Sequence, residues 1–363
     1  MALLALLPAC GFSSGTTPRD SGPGGDDDAP IDASYCFGTF APVCFPAMPS
    51  GTFAFGGNRE IDTDNPQSCD QTHNKTAAYC VLVAGTLTIP MASVLRAHGS
   101  KPLVLISATG TFNLSGTIDV SSSSKPAGTK GAGADPSGAC TTGVTEATMN
   151  SGGYGGSFES KGGDGKVVEG AAGIAGGTIA TFPNGLRGGC PGGLGAGTSG
   201  GAGGSGGGAV VIFAPEIQLN GVINASGAAG HGGGAQKCGG GGGGSGGMIV
   251  LDTVAITVGV SGSSLFANGG GGGQGGDGKT GGEGADGGES TGPNVDPVGG
   301  NNTVNAGGKG AGGAFGVVNR EGDTAVTTAG ATGGGGGGGG GAGFIHAAVP
   351  VGVLVAPPSR TIP

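Results

Sequence analysis

The sequence predicts an all-β protein, a parallel β-helix (β-solenoid) with long glycine-rich insertions and an N-terminal disulfide-stapled cap. Of its 363 residues 94 are Gly, yet 36% are hydrophobic, and these cluster in short runs with the period-two alternation of strands. The runs recur at long intervals, which parallel strands need for their crossovers. Only 11% of the residues are charged, which argues against charge-driven disorder, and the lack of a strict Gly-X-Y period excludes collagen.

Residues 1–10 are typical of the end of a truncated lipoprotein signal peptide. Leu7-Pro8-Ala9-Cys10 resembles a bacterial lipobox, in which the Cys thiolate accepts a diacylglyceryl group. We therefore expect lipid attachment at Cys10, so that acyl chains anchor the protein to a membrane. Gly11 stands where lipoproteins of the inner membrane carry Asp, so the expected location is the outer membrane or cell surface. The alternative is an ordinary secretory signal with an incidental Cys.

Three regions follow the signal segment. Residues 11–34 are an acidic Gly/Pro/Asp tether with little to bury, which predicts a flexible spacer. Residues 35–80 hold four Cys and seven aromatic residues and are interpreted as the disulfide-stapled cap. Residues 81–363 are the predicted glycine-rich β-solenoid, in which glycine becomes dense beyond residue 130, with 80 glycines among the last 233 residues.

The eight cysteines indicate disulfides, because the cysteines of an exported chain usually pair. The expected pairs, two from local spacing and one from shared glycine-rich surroundings, are Cys36–Cys44, Cys69–Cys80 and Cys140–Cys190. If Cys10 carries lipid, Cys238 is left as the odd cysteine. Sequence alone does not fix this connectivity.

The apolar runs form copies of one pattern, a short strand followed by two alternating pairs with a glycine-containing turn between them. The copies are residues 103–120, 210–227, 249–269 and a degenerate copy at 344–355. A parallel β-helix would stack them on a shared core, whereas the rival fold is an antiparallel sandwich of hairpins. The side chains expected to point inward are Phe112, Leu114, Ile118, Phe213, Ile217, Leu219, Ile223, Leu251, Ile256 and Val258, with Asn113, Gln218 and Thr257 outward.

Two uninterrupted glycine runs, residues 239–244 and 333–341, leave two structures open. Isolated polyglycine loses much entropy on ordering, so the runs are either flexible loops at one edge of the solenoid or extended polyglycine II strands packed backbone to backbone. Only glycine permits such an approach, because any Cβ would keep the chains apart.

No metal or cofactor is predicted. Cys69, His73 and Cys80 lack a fourth zinc ligand at a recognised spacing. Residues 272–277 and 281–286 fit the first six positions of the calcium-binding RTX nonapeptide, but its aliphatic eighth position is occupied by Lys279 and Gly288. Calcium binding is therefore an alternative rather than the main prediction.

The sequence predicts no enzyme. Its four histidines are scattered, and neither a nucleophile elbow nor a P-loop is present. The charged residues of the apparent repeats are interpreted as solvated outer-face charges: Arg96, Lys101, Asp119, Glu216 and Asp252. The net charge of −9 gives no electrostatic reason to bind nucleic acid. The prediction is a non-enzymatic envelope lipoprotein with a structural or adhesive role and an envelope polysaccharide or protein partner; the alternatives are a polysaccharide-active β-helix enzyme and a calcium-binding surface protein.

Several segments resemble glycine-rich, PE-PGRS-like lipoproteins of myxobacteria and related deltaproteobacteria. The segments that carry the resemblance are 61–64, 80–83, 95–105, 131–134, 186–193 and 242–251, together with Cys69. The resemblance covers most of residues 35–345 and is more specific in the cap than in the glycine tracts. It implies the envelope location and the architecture, and no particular activity.

Overall fold

A computed structural model of the chain describes residues 35–69, 78–125, 128–140, 143–177, 182–259, 263–278, 281–301, 307–316, 319–326, 333–349, 351 and 354–356. Cys10, the tether and His73 lie outside these residues. The described residues contain 18 strands and no helix, and all but the first two strands pair in parallel. The predicted all-β fold with stacked parallel strands is thereby confirmed, and the antiparallel sandwich is wrong.

Three parallel sheets form the sides of a β-helix, and each turn of the chain contributes one strand to each sheet in order. Sheet 1 contains β5 (Cys80–Ala84), β8 (Leu103–Ser107), β11 (Ala209–Phe213), β14 (Met248–Asp252) and β17 (Phe344–Ala347). Sheet 2 contains β3 (Thr52–Ala54), β6 (Thr86–Ile89), β9 (Phe112–Leu114), β12 (Ile217–Leu219) and β15 (Ile256–Val258). Sheet 3 contains β4 (Asn58–Asp62), β7 (Val94–His98), β10 (Thr117–Asp119), β13 (Val222–Asn224), β16 (Ser264–Phe266) and β18 (Leu354–Ala356).

In-register pairing stacks identical positions of successive turns into apolar columns inside the helix. Leu219 pairs with Leu114 on one side and Val258 on the other, as the alternation predicts. The inward prediction is wrong at Phe213, which lies on the outer face of sheet 1. Every position of that five-residue strand is buried, so alternation of burial gave no cue to the face of this residue. Ile256 and Val258 pack against the inner core as predicted, but they are only partly buried because β15 forms the edge of sheet 2.

Sheet 1 is buried on both faces, which explains its uninterrupted apolar strands. Its inner face joins the β-helix core, and its outer face is covered by the antiparallel hairpin of β1 (Tyr35–Phe37) and β2 (Val43–Phe45). The backbone N–H and the hydroxyl of Thr39 both donate to Asp252 at 2.7 Å and tie the hairpin to β14. The hairpin, together with Phe158 and Leu186 of the first glycine-rich insertion, thus completes a second apolar core outside the β-helix.

The cap predicted for residues 35–80 is shorter than expected. The β-helix already begins at Thr52, because β3 and β4 are the first strands of sheets 2 and 3. Arg59 of β4 sits in the inward column above Leu95, where its guanidinium carbon lies 5.6 Å and 5.8 Å from the ring centroids of Phe53 and Phe55. An inward-pointing charge at the first turn is a recognised way to blunt an exposed sheet edge.

The glycine-rich insertions form an ordered bundle of extended strands, the polyglycine II alternative left open by the sequence. A chain with three residues per turn directs successive N–H groups to three different sides. Within residues 239–247 every third N–H accordingly donates to the same neighbour, with N···O distances of 2.7–3.0 Å. The three neighbours that accept these bonds are residues 335–341, 225–231 and 190–196.

Three strands, residues 239–247, 268–276 and 333–343, form the centre of the bundle. The strand 333–343 donates to segments 267–276, 150–156 and 320–323, and accepts from 240–246, 163–166 and 308–314. It therefore has six hydrogen-bonded neighbours, and the other two central strands are surrounded in the same way. Since each central strand also contacts the other two, the arrangement is a hexagonal lattice of backbones.

Space, rather than backbone conformation, requires glycine in this lattice. None of the central-strand glycines has a positive φ. A Cβ on Gly240 would lie well inside 3.0 Å of the carbonyl of Gly273, and one on Gly337 would do the same at Gly241. The contacted atoms are backbone atoms held by hydrogen bonds on every side, so they have no free direction in which to move.

The bundle and the β-helix are continuous. The strand 239–247 runs directly into β14, and 333–343 runs directly into β17, while residues 267–276 leave β16. Each insertion returns to sheet 1 one turn further along. The glycine strands that precede β11, β14 and β17 therefore lie side by side in the same order as these three strands. The turns of the bundle, including residues 148–150, 166–172, 196–200 and 234–238, lie together at its far end.

Replacing Leu219 by Ala should lower the free energy of unfolding by roughly 2–5 kcal/mol, because it leaves a cavity in a fully buried column. The neighbouring Gln218→Ala should change it by less than about 0.5 kcal/mol, because that side chain is exposed. Chemical denaturation of both variants checks the assignment, and equal shifts in midpoint would contradict it.

Gly337→Ala should destabilise the protein by about 1–3 kcal/mol or more, since the added methyl group overpacks a lattice site with no room. Gly177→Ala is the matched control, because a Cβ there meets nothing within 4 Å. Thermal unfolding of the two variants measures the difference. If both behave alike, close backbone packing is not what the glycine runs provide.

Candidate functional site

Three disulfides join Cys36 to Cys44, Cys69 to Cys80 and Cys140 to Cys190, the pairs expected from the sequence. The first closes the β1–β2 hairpin, the second ties the start of sheet 1 to the turn after β4, and the third links two glycine-rich segments. Cys238 has a free thiol that is 1% exposed, and its sulfur lies 3.4 Å from the backbone nitrogen of Ser199. It is packed into the bundle turn, where the thiol donates to the Ala235 carbonyl at 3.3 Å.

The outer face of sheet 3 carries five titratable side chains among the described residues. Register pairing aligns Glu60, Arg96 and Asp119 in one column, and Asp62 and His98 in the next. Arg96 pairs with Asp119 at 3.2 Å, and their side chains are 30% and 16% exposed. The carboxylate is therefore neutralised by its neighbour rather than held free for catalysis. Glu60 and Asp62 were missed by the sequence analysis because they lie in the segment assigned to the cap.

The other charged positions do not converge. Glu216 accepts from Thr257 at 2.9 Å on sheet 2, and Asp252 holds the hairpin on sheet 1. His231 lies in the glycine bundle, 3.3 Å from Asp286. Burial opposes ionisation of Asp286, but the Gly232 N–H, Lys125 and His231 outweigh it and lower the pKa of the carboxyl. Each of these residues therefore connects neighbouring segments of the chain through a hydrogen bond or an ion pair.

A cavity of about 310 Å³ lies beside the Cys140–Cys190 disulfide. Tyr154, Ser157, Val144 and Pro191 contribute to its wall, and glycines form much of the rest. The Ser157 hydroxyl donates to the Gly176 carbonyl at 2.8 Å, so it is engaged with backbone and has no base beside it. The cavity has no nucleophile–base pair among the residues that line it.

Tyr154 is the most perturbed group of the cavity wall. Its ring is 7% exposed, and its hydroxyl donates to Glu146 Oε1 at 3.3 Å. Burial, the negative charge of Glu146 and the hydrogen bond between them raise the pKa of Tyr154 to about 12. A phenol with that pKa stays protonated at neutral pH and serves as a hydrogen-bond donor, not as a base.

The structure does not form a calcium-binding β-roll from the two RTX-like stretches. Gly271, Gln274 and Asp277 donate to Gly288, Ala285 and Gly282, respectively, so the stretches run as adjacent antiparallel glycine strands. Cys69 and Cys80 are bonded to each other, which removes them as zinc ligands. Among the described residues no three His, Cys, Asp or Glu side chains are grouped to hold a metal ion.

Comparisons with known proteins add no identification. The chain matches no protein-family model, no curated protein and no solved structure. The part of the chain that the structure describes also contains no helix long and apolar enough to cross a membrane.

Tyrosinate absorbance should show one of the three tyrosines titrating near pH 12 in the folded protein, and Tyr154→Phe should remove that step. Because the folded state raises this pKa, the stabilisation is fully present below the ordinary value of 10.0 and is lost as the pH rises towards about 12. The absence of Trp leaves the tyrosinate signal unobscured. Titration of all three tyrosines near 10 would contradict the buried position.

Proposed function

We propose that this protein is a non-enzymatic lipoprotein of the cell envelope with a structural or adhesive role. The observation that carries the proposal is the glycine bundle, in which the chain's most characteristic residue builds a backbone-only lattice. Such a lattice offers rigidity and defined shape, but its interior has almost no side chains to perform chemistry. A large part of the molecule therefore serves to maintain a rigid, defined shape.

The proposed location is supported by two features. Leu7-Pro8-Ala9-Cys10 provides the lipidation signal, and residues 11–34 would hold the folded body away from the membrane. Three disulfides are typical of a protein that folds in an oxidising compartment outside the cytosol. The proposed partners are the membrane, through the lipid anchor, and an envelope polysaccharide or protein.

A polysaccharide-active β-helix enzyme is the second candidate, favoured by the column of charges on sheet 3. Glu60, Arg96, Asp119, Asp62 and His98 share one outer face, as acids and bases acting on a bound chain would. The Arg96–Asp119 ion pair favours a structural role for these charges. Depolymerisation of an acidic polysaccharide by the wild type, lost in His98→Ala, would support the enzyme instead.

Cys10→Ser should abolish incorporation of a labelled fatty acid when the chain is expressed in bacteria behind a functional lipoprotein signal peptide. The reason is that the thiol is the only acceptor for the diacylglyceryl group. Cys238→Ser is the matched control and should label like the wild type, since that thiol is buried in the folded bundle. Equal labelling of the wild type and Cys10→Ser, or no labelling of either, would contradict the lipid anchor.

A further inference from the structure

We propose that the Cys140–Cys190 disulfide is a thiol–disulfide exchange site, which an external dithiol reduces with Arg187 stabilising the sulfur that leaves. The other two disulfides are structural links. The inference does not depend on the lipid anchor and goes beyond the proposed structural role, because it gives one covalent link of the molecule a chemistry of its own.

The guanidinium of Arg187 lies against one sulfur of this disulfide. Its Nη2 is 3.5 Å from Cys190 Sγ, and its Nη1 donates to the Ala139 carbonyl at 3.5 Å. The guanidinium carbon lies 4.6 Å from the ring centroid of Phe158. The cation is therefore held on three sides, between the two segments that the disulfide joins.

Arg187 is a partly buried cation that forms no ion pair with a carboxylate among the described residues. Its Nε is buried and has no hydrogen-bond partner. Burial lowers the pKa of the guanidinium, because burial disfavours the charged form. An arginine remains charged at neutral pH all the same. A negative charge formed on the adjacent sulfur would supply the counterion that this cation lacks.

Reduction creates that negative charge. A thiolate of the dithiol attacks Cys140 Sγ, the S–S bond breaks, and its electron pair leaves on Cys190 Sγ as a thiolate beside Arg187. The second thiolate of the reductant then attacks the mixed disulfide and releases the Cys140 sulfur. The dithiol is thereby oxidised to a disulfide and gives up two protons, of which one is taken by Cys140 and one remains in solution.

Access and leaving-group stability both favour attack at Cys140. This residue is partly exposed, whereas Cys190 is 3% exposed. Both half-cystines line the cavity of about 310 Å³, in which glycines form much of the wall, so a small dithiol has room to approach. The sulfur that leaves is the one that Arg187 contacts, and a more stable leaving thiolate is displaced faster.

Two carboxylates of the same insertion are engaged with other partners. Asp135 forms an ion pair with Lys130 at 3.0 Å, and Glu146 accepts from the Tyr154 hydroxyl at 3.3 Å. Neither is paired with Arg187, so the guanidinium remains available to a thiolate.

The other two disulfides lack such a cation. Cys69 Sγ lies 3.8 Å from the Thr63 carbonyl oxygen, whose partial negative charge disfavours a thiolate, and Cys80 is fully buried. Cys36 and Cys44 join the strands of an exposed hairpin, and among the described residues no basic side chain is hydrogen-bonded to their sulfurs. Assistance by a neighbouring cation is therefore specific to the third disulfide.

The test equilibrates the chain, carrying Cys10→Ser, with mixtures of reduced and oxidised dithiothreitol, followed by acid quenching, alkylation in denaturant and mass mapping of each cysteine. Cys238 is a thiol throughout and calibrates complete alkylation. Arg187→Gln removes the charge and Arg187→Lys keeps it. Arg96→Gln is the matched control, because Arg96 is paired with Asp119 on sheet 3. Thermal midpoints of the oxidised variants verify that each is folded.

Arg187→Gln should shift the equilibrium of Cys140–Cys190 towards the disulfide by roughly tenfold, or about 30 mV for a two-electron couple. Arg187→Lys should retain most of the wild-type ratio and Arg96→Gln all of it, and the other two disulfides should be unchanged in every variant. Equal ratios in the wild type and Arg187→Gln would overturn the proposal. Reduction of Cys140–Cys190 no easier than that of Cys69–Cys80 would overturn it as well.

The pH dependence of the wild type is a second, independent readout, which decides the matter if Arg187→Gln fails to fold. Around neutral pH the midpoint potential of Cys140–Cys190 should follow one proton per two electrons, because Cys190 is released as a thiolate beside Arg187. Uptake of two protons per two electrons would show that no thiolate is stabilised there and would contradict the proposal.

Discussion

The backbone hydrogen bond, repeated every third residue towards each of three neighbours, is the interaction on which the whole molecule depends. In residues 239–247 every backbone N–H donates to a backbone carbonyl, and no side-chain acceptor is involved. A buried amide without a partner is costly, so segments this poor in apolar side chains become ordered only if the lattice satisfies their amides. The hexagonal arrangement does so for the three central strands, and glycine is required because the lattice leaves no room for a Cβ.

The β-helix and the glycine bundle solve different halves of one stability problem. Apolar columns such as Leu114–Leu219–Val258 supply the hydrophobic burial that polyglycine lacks. The sheets in turn fix where each insertion leaves and returns, which reduces the conformational freedom that ordering glycine would otherwise cost. Segments outside both the β-helix and the three central glycine strands are held by the three disulfides and the β1–β2 hairpin.

The sequence made the strands predictable to the extent that their two faces differ in burial. Leu219 and Gln218 differ in this way, whereas β11 is buried on both faces and its Phe213 could not be assigned from alternation. The glycine strands could not be derived at all, because polyglycine has no side-chain periodicity. Its hydrogen-bond partners also lie up to 185 residues away in the sequence, as for Gly338 and Gly153. The grouping of Asn150, Glu169 and Lys237 was hidden for the same reason, since these residues come from turns whose positions the lattice determines.

The placement of strand 333–343 also determines the order in which the molecule is completed. It occupies a central axis of the bundle, yet it is synthesised after all six of the segments that surround it. Those segments cannot reach their final hydrogen bonding while the axis is empty, and contacts across such long separations form slowly. The glycine segments of the nascent chain therefore stay incompletely bonded until strand 333–343 is synthesised, and that late strand closes the lattice from within.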